Sequence, residues 1–524
     1  MCALQRNVLS LGRREFLHHA GMMAAGASLL SSFPVSMAAQ SAGGAIAEVR
    51  LDLDRIHKWD DSNGDTWDPF WADDGQLYSF NCDGRGFGVK RENLAFNGFS
   101  GDALDSLAGR SIDSMAEYGA SGFRGPDHAT WKACGQECID GVFYAFVARN
   151  VYGGESHDPL MRQTAFNSSL IKSEDRGRTW TRSAQENYAR PMWPGARFGA
   201  PFFVHYGRNG GDAQVDGADE FVYAAATNGF WNDGDYLTLG RVPRRLLSRL
   251  DPSAWTYYRG GDGMDNASWT GSAYEASPIL ARPAKCGQTP ITWIPALRRY
   301  LLISWYNPQT LQKWFQPTEM CYDFYAAERP WGPWSPLASF TDRFLAPGYN
   351  MYGPSLCAKY QAADREEVVV PMFTAGCQFA DVPSGIYKCW TIPVRLRTAP
   401  VPAHSTLRFD AAAIRKEGSW SELAAWPDRD NAALQSRRRG DALEVSFEGT
   451  GIEFLARKAA GYGDVSVLLD GSPQAAVALG MHNFPEISGV SVYRKLELRL
   501  GPHRLRVVNA GNDPVNLQAV NVYR

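Results

Sequence analysis

Short runs of alternating apolar and polar residues recur along most of the chain, with turn-forming residues between them. Residues 443–447 are one example, where Leu, Val and Phe alternate with Glu and Ser. A repeat of two places successive side chains on opposite faces of a β-strand. Helical periodicity is not sustained over any long stretch. The sequence therefore predicts an all-β protein built from many short strands joined by turns.

The strand-like runs before residue 397 fall into five clusters, each with enough segments for a four-stranded sheet. The first is a hairpin around residues 65–84, and the others begin near Asp140, Phe198, Thr289 and Ser355. Repeated four-stranded units are typical of a β-propeller. We therefore expect a five-bladed β-propeller over residues 45–396.

The chain changes character after the fifth cluster. Prolines and small residues at 397–404 indicate a linker. Residues 405–524 then show an all-β pattern of their own, which includes runs at 465–471, 495–500 and 501–508. This part resembles the galactose-binding-like jelly rolls appended to secreted carbohydrate enzymes, which carry Val-x-x-Asp-Gly and Gly-x-His-x-Leu-x-Val strands. The resemblance implies an accessory domain that either binds glycans or braces its neighbour.

The first 39 residues have the features of a twin-arginine export signal. Arg13-Arg14 precede an apolar stretch from Ala20 to Leu30, and small residues follow at 36–39. The apolar stretch is too short for a stable membrane span. We therefore expect an exported, periplasmic or extracellular protein that meets the twin-arginine translocase during export and has no membrane span after the signal is removed.

Composition narrows the classes of partner. A formal net charge of −3 argues against nucleic acid, and the 17 Trp and 22 Tyr suit a carbohydrate partner because sugar rings stack on aromatic faces. Of nine cysteines, eight remain after Cys2 leaves with the signal, and an even number permits disulfides after export. Cys134 with Cys138, and Cys377 with Cys389, are the candidate pairs. The cysteine spacing does not favour a metal site.

Residues 173–180 match the Asp-box, Ser-x-Asp-x-Gly-x-Thr-Trp, of sialidases and other propellers. Its aspartate can accept hydrogen bonds from turn amides, and its glycine permits the bend. The motif predicts a structural hairpin on the outer side of a blade.

The opening hairpin carries an aspartate at each end. Asp73-Asp74-Gly75 suits a three-residue turn, and that register places Asp65 opposite Asp83. Directly opposed residues have Cβ atoms roughly 4.5–5.5 Å apart. Two such carboxylates repel, which raises one pKa and leaves an acid beside a base, the chemistry of glycosidic bond cleavage. A slip of one residue would instead put the side chains on opposite faces, and aspartates at strand ends also serve as turn caps.

Further candidates have weaker patterns. Glu275 precedes the fourth cluster, where some five-bladed glycosidases hold a general acid, and a plain loop glutamate is the alternative. The candidates for substrate binding are Trp67, Asp127, His128, Lys132, Trp231, Asp233 and Asp235. The tryptophans could instead pack in the core, and the others could be strand caps or exposed loop residues. No cofactor is expected, although aspartates in a propeller funnel also suit a structural calcium ion.

The propeller segments resemble the 4185 family of domains of unknown function. The residues that carry this resemblance include Asp65-Thr66-Trp67, the segments 71–78 and 82–84, Lys132 ahead of 140–145, and the segment 235–243. Members of the family have been assigned to glycoside hydrolase family 183, endo-acting enzymes on mycobacterial D-arabinan. The resemblance covers about residues 60–395 and implies that Asp65 and Asp83 match the family's acidic pair.

Together these observations favour an exported glycoside hydrolase that cleaves a cell-envelope polysaccharide, D-arabinan being one candidate. One alternative is a propeller lectin with no catalytic activity. Another is a sialidase-like hydrolase, which would require three clustered arginines, for which Arg124, Arg197 and Arg241 are scattered candidates.

Overall fold

The strands between residues 46 and 397 form five antiparallel meanders. They are seen in a computed structural model, which describes residues 46–524 except 102, 153–161, 212–219, 262–265, 308–318, 379–384, 427–430 and 482–483. Sheet 1 consists of Phe70–Trp71, Leu77–Gly84, Glu92–Ser100 and Ala108–Asp113. Sheet 2 consists of Thr130–Ile139, Val142–Val151 and Thr164–Ser173.

The next two meanders are joined through their first strands. Sheet 3 consists of Phe202–His205, Phe221–Thr227, Gly234–Pro243, Thr256–Gly260 and Ser268–Thr270, and Leu280–Cys286 also pairs with its third strand. Sheet 4 consists of Ile291–Ile294, Arg299–Tyr306, Cys321–Ala327 and Ser335–Thr341. Val204 and His205 pair in parallel with Ile291 and Thr292, which joins the two sheets.

The last meander is completed by the start of the described chain. Sheet 5 consists of Tyr349–Leu356, Glu367–Gln378, Cys389–Arg397 and Glu48–Leu51, and the short strands His57–Lys58 and Ala362–Ala363 pair at its margins. Glu48 to Leu51 pair in order with Arg397 to Val394. A strand from the beginning of the chain therefore closes the sheet formed near residue 397.

Among the residues that the structure describes, helices are few and short. One α-helix covers Ala184–Ala189, and 3₁₀-helices cover Leu53–Arg55, Leu104–Ser106, Ala116–Tyr118, Arg208–Gly210, Arg244–Arg249, Pro252–Ala254 and Ala273–Glu275. The prediction of an all-β chain is confirmed.

The Asp-box forms the hairpin that the sequence predicts. Asp175 accepts hydrogen bonds from the backbone amides of Arg178 (3.1 Å) and Thr179 (2.9 Å) and from the Thr179 hydroxyl (2.7 Å). These hydrogen bonds lower the pKa of Asp175 to about 2, against the opposing effect of burial. Gly177 has a φ of +83° and packs against Phe96. The hairpin therefore ties sheet 2 to sheet 1.

The strands after residue 403 form three further sheets. The first consists of His404–Arg408, Ala519–Tyr523, Gly451–Lys458 and Ile487–Lys495. The second consists of Ile414–Glu417, Ala442–Gly449, Gly501–Asn509 and Asp464–Leu469, with the short strands Ser472–Pro473 and Val477–Ala478. The third consists of Ser421–Leu423, Ala433–Ser436 and Val515–Leu517. Residues 496–500, predicted as part of a strand, are irregular, and the strand here is Ile487–Lys495.

These sheets share a core with sheet 5. Phe484 packs edge-on against Trp390 with ring centroids 4.5 Å apart, and Ile487 forms a β-bridge with Leu345. Arg494 also donates hydrogen bonds of 2.9 and 3.0 Å to Glu48. Residues 46–524 accordingly form one compact unit, and the predicted domain boundaries stay predictions.

One predicted disulfide is wrong. Cys134 and Cys138 are both free and buried thiols on the strand Thr130–Ile139. An extended chain rises about 3.3 Å per residue, which separates positions four apart by more than a disulfide can span. Cys389 is also a free buried thiol, whereas the side chain of Cys377 lies outside the described residues.

Candidate functional site

The opening hairpin has the predicted turn. Phe70 and Trp71 pair with Tyr78 and Leu77, and the Ala72 amide donates a 2.9 Å hydrogen bond to the Gln76 carbonyl. The turn contains Asp73, Asp74 and Gly75, with Gly75 in the left-handed conformation at a φ of +82°.

At the far end of the hairpin the register differs from the prediction by one residue. Asp65 pairs with Cys82 and not with Asp83, through backbone hydrogen bonds of 3.0 and 2.8 Å. Asp83 has a φ of +52°, which breaks the regular alternation of the strand. Despite the slip, Asp83 still interacts electrostatically with Asp65. The direct cross-strand opposition that predicted a short separation of the carboxyl groups is absent.

Lys132, on the first strand of sheet 2, interacts electrostatically with both carboxyl groups. Lys132 forms an ion pair with Asp83 and also interacts with Asp65. The Tyr152 hydroxyl donates a 2.9 Å hydrogen bond to Asp83 Oδ2, and the Tyr352 hydroxyl donates one of 2.7 Å to Asp65 Oδ2. The structure therefore brings together three predicted site residues and two tyrosines that the sequence did not indicate.

The environment of Asp65 favours its neutral form. Burial raises the pKa of Asp65, Lys132 opposes this effect, and the negative charge of Asp83 adds to it. For Lys132, its acidic neighbours outweigh burial and hold the pKa well above its usual value. A carboxyl group with a raised pKa thus lies beside a carboxylate paired with a permanent cation.

A second buried cluster, formed by Asp68, Glu137 and His205, was not indicated by the sequence. Nε2 of His205 lies 2.9 Å from Asp68 Oδ1, and Nδ1 lies 2.7 Å from Glu137 Oε2. The Ser355 hydroxyl donates a 2.6 Å hydrogen bond to Asp68 Oδ1. The two carboxylates outweigh burial and raise the pKa of His205 to about 10, so its ring is charged at neutral pH and donates from both nitrogens. Burial raises the pKa of Glu137.

The sequence contains only a weak indication of this cluster. Asp68 lies three residues from Asp65, yet Glu137 and His205 belong to the first strands of sheets 2 and 3. Isolated charged residues in apolar strands give no indication of which partner they will meet.

The two predicted aromatic platforms are both buried. The indole nitrogen of Trp67 donates a 2.9 Å hydrogen bond to the Gly64 carbonyl, and its ring packs against Phe87 and Phe99. Trp67 and Trp231 both line a recess next to Asp68.

Asp127 and His128 lie on the loop before sheet 2. Arg149 donates hydrogen bonds of 2.9 and 2.6 Å to Asp127, and the guanidinium group of Arg149 lies over the ring of Trp131. This ion pair gives Asp127 a structural role. His128 is exposed and has a φ of +60°.

Asp233 and Asp235 lie at the start of the third strand of sheet 3. Asp233 is fully buried, and its carbonyl accepts a hydrogen bond from Arg162. Asp235 pairs with Arg162 at 2.9 Å and also accepts hydrogen bonds from Asn228 and the Ala284 amide. These contacts make Asp235 part of a local ion-pair network.

Glu275 lies away from the aspartate pair, in the 3₁₀-helix that follows the outermost strand of sheet 3. Its side chain is 54% exposed and accepts a 2.9 Å hydrogen bond from the Thr270 hydroxyl. The structure therefore does not bring Glu275 to the other predicted catalytic residues.

The arginines considered for a sialidase-like site have separate partners. Arg124 lies over the ring of Tyr152, Arg197 over Tyr236, and Arg241 over Phe221 and Trp269. Within the described ranges, no group of three or more His, Cys, Asp or Glu side chains has the arrangement of a metal site.

The predicted export signal lies outside the described residues. In the part of the chain that is described, no helix is long and apolar enough to cross a membrane.

Comparisons with known proteins add similarities to several carbohydrate-active proteins. No family model matches the chain, and no curated protein matches it. An exo-β-1,3-galactanase from Phanerochaete chrysosporium is 11% identical, with a TM-score of 0.38, over 91% of this chain and 100% of its own. A protein of Bacteroides ovatus assigned as a hydrolase is 14% identical, with a TM-score of 0.39, over 69% of this chain and 97% of its own.

A further match covers a smaller share of the chain. The CBM36-1 domain of a multidomain xylanase, from the hindgut metagenome of Trinervitermes trinervoides, is 11% identical, with a TM-score of 0.17. It covers 23% of this chain and 98% of its own. At these identities and TM-scores the similarities carry no conclusion about the fold, substrate or activity of this protein.

Proposed function

We propose that this protein is an exported glycoside hydrolase that cleaves a cell-envelope polysaccharide with Asp65 and Asp83 as its catalytic carboxyl groups. One observation carries the proposal: buried Lys132 pairs with the Asp83 carboxylate and interacts electrostatically with Asp65, whose pKa is raised. Glycosidic bond cleavage needs a neutral carboxyl group and an ionised one on either side of the scissile bond.

The environments assign different roles to the two groups. Asp65, whose pKa is raised, acts as the general acid and protonates the leaving oxygen. Asp83 acts as the ionised partner because it forms an ion pair with Lys132. Its Oδ2 is engaged by Lys132 and Tyr152, whereas Oδ1 has no hydrogen-bond partner among the described residues.

The arrangement of the sheets supports a five-bladed propeller as the scaffold. Contacts link the first strands in sequence, from sheet 1 to sheet 2, then to sheets 3, 4 and 5. Ser355 on sheet 5 contacts Asp68 next to sheet 1, which completes the circle. In such a ring the inner strands line a central funnel, and Lys132, Glu137 and His205 all belong to these strands.

The substrate class follows from the family resemblance. Asp65 and Asp83, with Lys132 downstream, match the pattern that resembles the endo-acting D-arabinan hydrolases. We therefore propose a furanose-containing polysaccharide, with mycobacterial arabinogalactan as the first substrate to test.

The test compares the purified mature protein with Asp65→Asn and Asp83→Asn on that polysaccharide. We expect oligosaccharides from the wild type and a fall in rate of at least about 10²-fold in each variant. Asp470→Asn is the matched control, because Asp470 is exposed and pairs with His503 in the C-terminal part. Hydrolysis that survives both substitutions would reject the aspartate pair. Glycan binding by a wild type that releases no product would favour the lectin alternative.

A further inference from the structure

A recess opens beside Asp65 and is built from aromatic and polar side chains. Trp231, Trp305 and Tyr352 line it together with Asp68 and Gln288. Tyr352 connects the recess to the catalytic pair, since its hydroxyl donates the 2.7 Å hydrogen bond to Asp65.

Two polar atoms of the recess residues have unused hydrogen-bonding capacity. Asp68 is 1% exposed and Gln288 is 4% exposed. Asp68 Oδ2 and Gln288 Nε2 have no hydrogen-bond partner among the residues that the structure describes. Buried polar atoms are nearly always paired in native proteins, so each such atom requires an explanation.

The orientation of Asp68 is fixed by its other oxygen. Oδ1 lies 2.9 Å from His205 Nε2 and accepts the 2.6 Å hydrogen bond from Ser355. The charged His205 is itself held by Glu137 on its other side. Asp68 Oδ2 is therefore a rigidly placed acceptor, and Gln288, whose Nε2 is an unpartnered donor among the described residues, lines the same recess.

A hydroxyl group matches both the polar atoms and the size of the recess. A hydroxyl group both donates and accepts, so a single hydroxyl can satisfy the acceptor on Asp68 and the donor on Gln288. The recess has room for about one water-sized group. Its apolar lining with a few placed polar groups is the usual composition of a small-molecule subsite.

We propose that this recess is a sugar subsite that receives one hydroxyl group of the ring held at Asp65. Asp68 and Gln288 are then specificity-determining residues, and His205 is a positioning residue for Asp68. This inference rests on the proposed function, because it places a sugar at Asp65.

The experiment measures binding without turnover. The Asp65→Asn protein is titrated with mycobacterial arabinogalactan by calorimetry, and with the glycans of a broad array where arabinogalactan does not bind. We expect Gln288→Met in this background to weaken binding about tenfold, since it removes the donor at nearly constant size. Gln361→Met is the matched control, because Gln361 also has an unpartnered buried oxygen but does not line the recess.

An exchange of polarity tests the hydroxyl directly. Asp68→Asn turns the acceptor into a donor, and Gln288→Glu turns the donor into an acceptor. Each substitution alone should weaken glycan binding, and the double variant should recover most of the lost affinity. Circular dichroism identifies any Asp68 variant that fails to fold, in which case the Gln288→Met result decides.

The outcomes separate this inference from the proposed hydrolase. Binding that Gln288→Met leaves unchanged overturns the subsite even if the wild type hydrolyses arabinogalactan. Binding that depends on Gln288 in a protein without hydrolytic activity supports the subsite and rejects the hydrolase. Failure to bind any glycan overturns the subsite.

Discussion

Replacing Lys132 by methionine tests the electrostatic organisation of the candidate site. The Lys132 side chain is 4% exposed and that of its partner Asp83 is 14% exposed, so solvent screens this pair only weakly. Removing one member of a buried ion pair leaves an uncompensated charge and costs about 3–5 kcal/mol. Lys132 also interacts electrostatically with the carboxyl group of Asp65. We expect Lys132→Met to lower the free energy of unfolding by that amount.

The measurement is urea denaturation followed by tryptophan fluorescence, at pH 7. The double variant Lys132→Met/Asp83→Asn should regain most of the lost stability, because it removes both charges and the new amide oxygen can still accept the Tyr152 hydrogen bond. Lys172→Met is the control, since Lys172 pairs with the exposed Glu174 and such pairs contribute about 0–1 kcal/mol. A loss below about 1 kcal/mol for Lys132→Met, or no recovery in the double variant, would refute the reasoning.

The same substitution should also change the pH dependence of activity. Lys132 lowers the pKa of Asp65, so its removal lets burial and Asp83 raise that pKa further. Protonated Asp65 then persists to higher pH, and the alkaline limb of the kcat/KM profile should move upward. A limb that stays in place would show that Asp65 is not the general acid.

Three further predictions concern stability. His205, with a pKa raised to about 10, stabilises the fold fully below its unfolded pKa near 6.5, and this contribution is lost as the pH rises through about 10. His205→Gln should therefore remove the contribution of His205 to the pH dependence of the unfolding free energy between these two pH values. Gly177→Ala should cost about 2 kcal/mol or more in thermal unfolding, because its Cβ would overlap the ring of Phe96 at a φ of +83°, and an unchanged melting temperature would contradict this Asp-box geometry. Phe484→Ala should cost about 3–5 kcal/mol and leave a single unfolding transition, since Phe484 packs on Trp390 of sheet 5; two separate transitions would show that the C-terminal sheets unfold independently.

Local interactions account for what could be predicted from the sequence. The Asp-box folds as its residues predict, because Asp175 bonds to amides only three and four positions away. The turn at Asp73–Gly75 is likewise decided by neighbouring residues and by the left-handed conformation of Gly75. The all-β class could be predicted because the alternation of apolar and polar residues is a local pattern that shows which face of each strand is buried.

Tertiary structure decided the composition of the candidate site. The register shifts by one residue between the pair Phe70–Tyr78 and the pair Asp65–Cys82, in the stretch that contains the left-handed Thr66. Lys132 was a candidate for substrate binding, but its burial beside Asp83 depends on how sheet 2 packs against sheet 1. His205 meets Asp68 and Glu137 only because strands distant in sequence converge. A buried charge has a strong effect on its neighbours, yet the sequence does not record which neighbours the packing will supply.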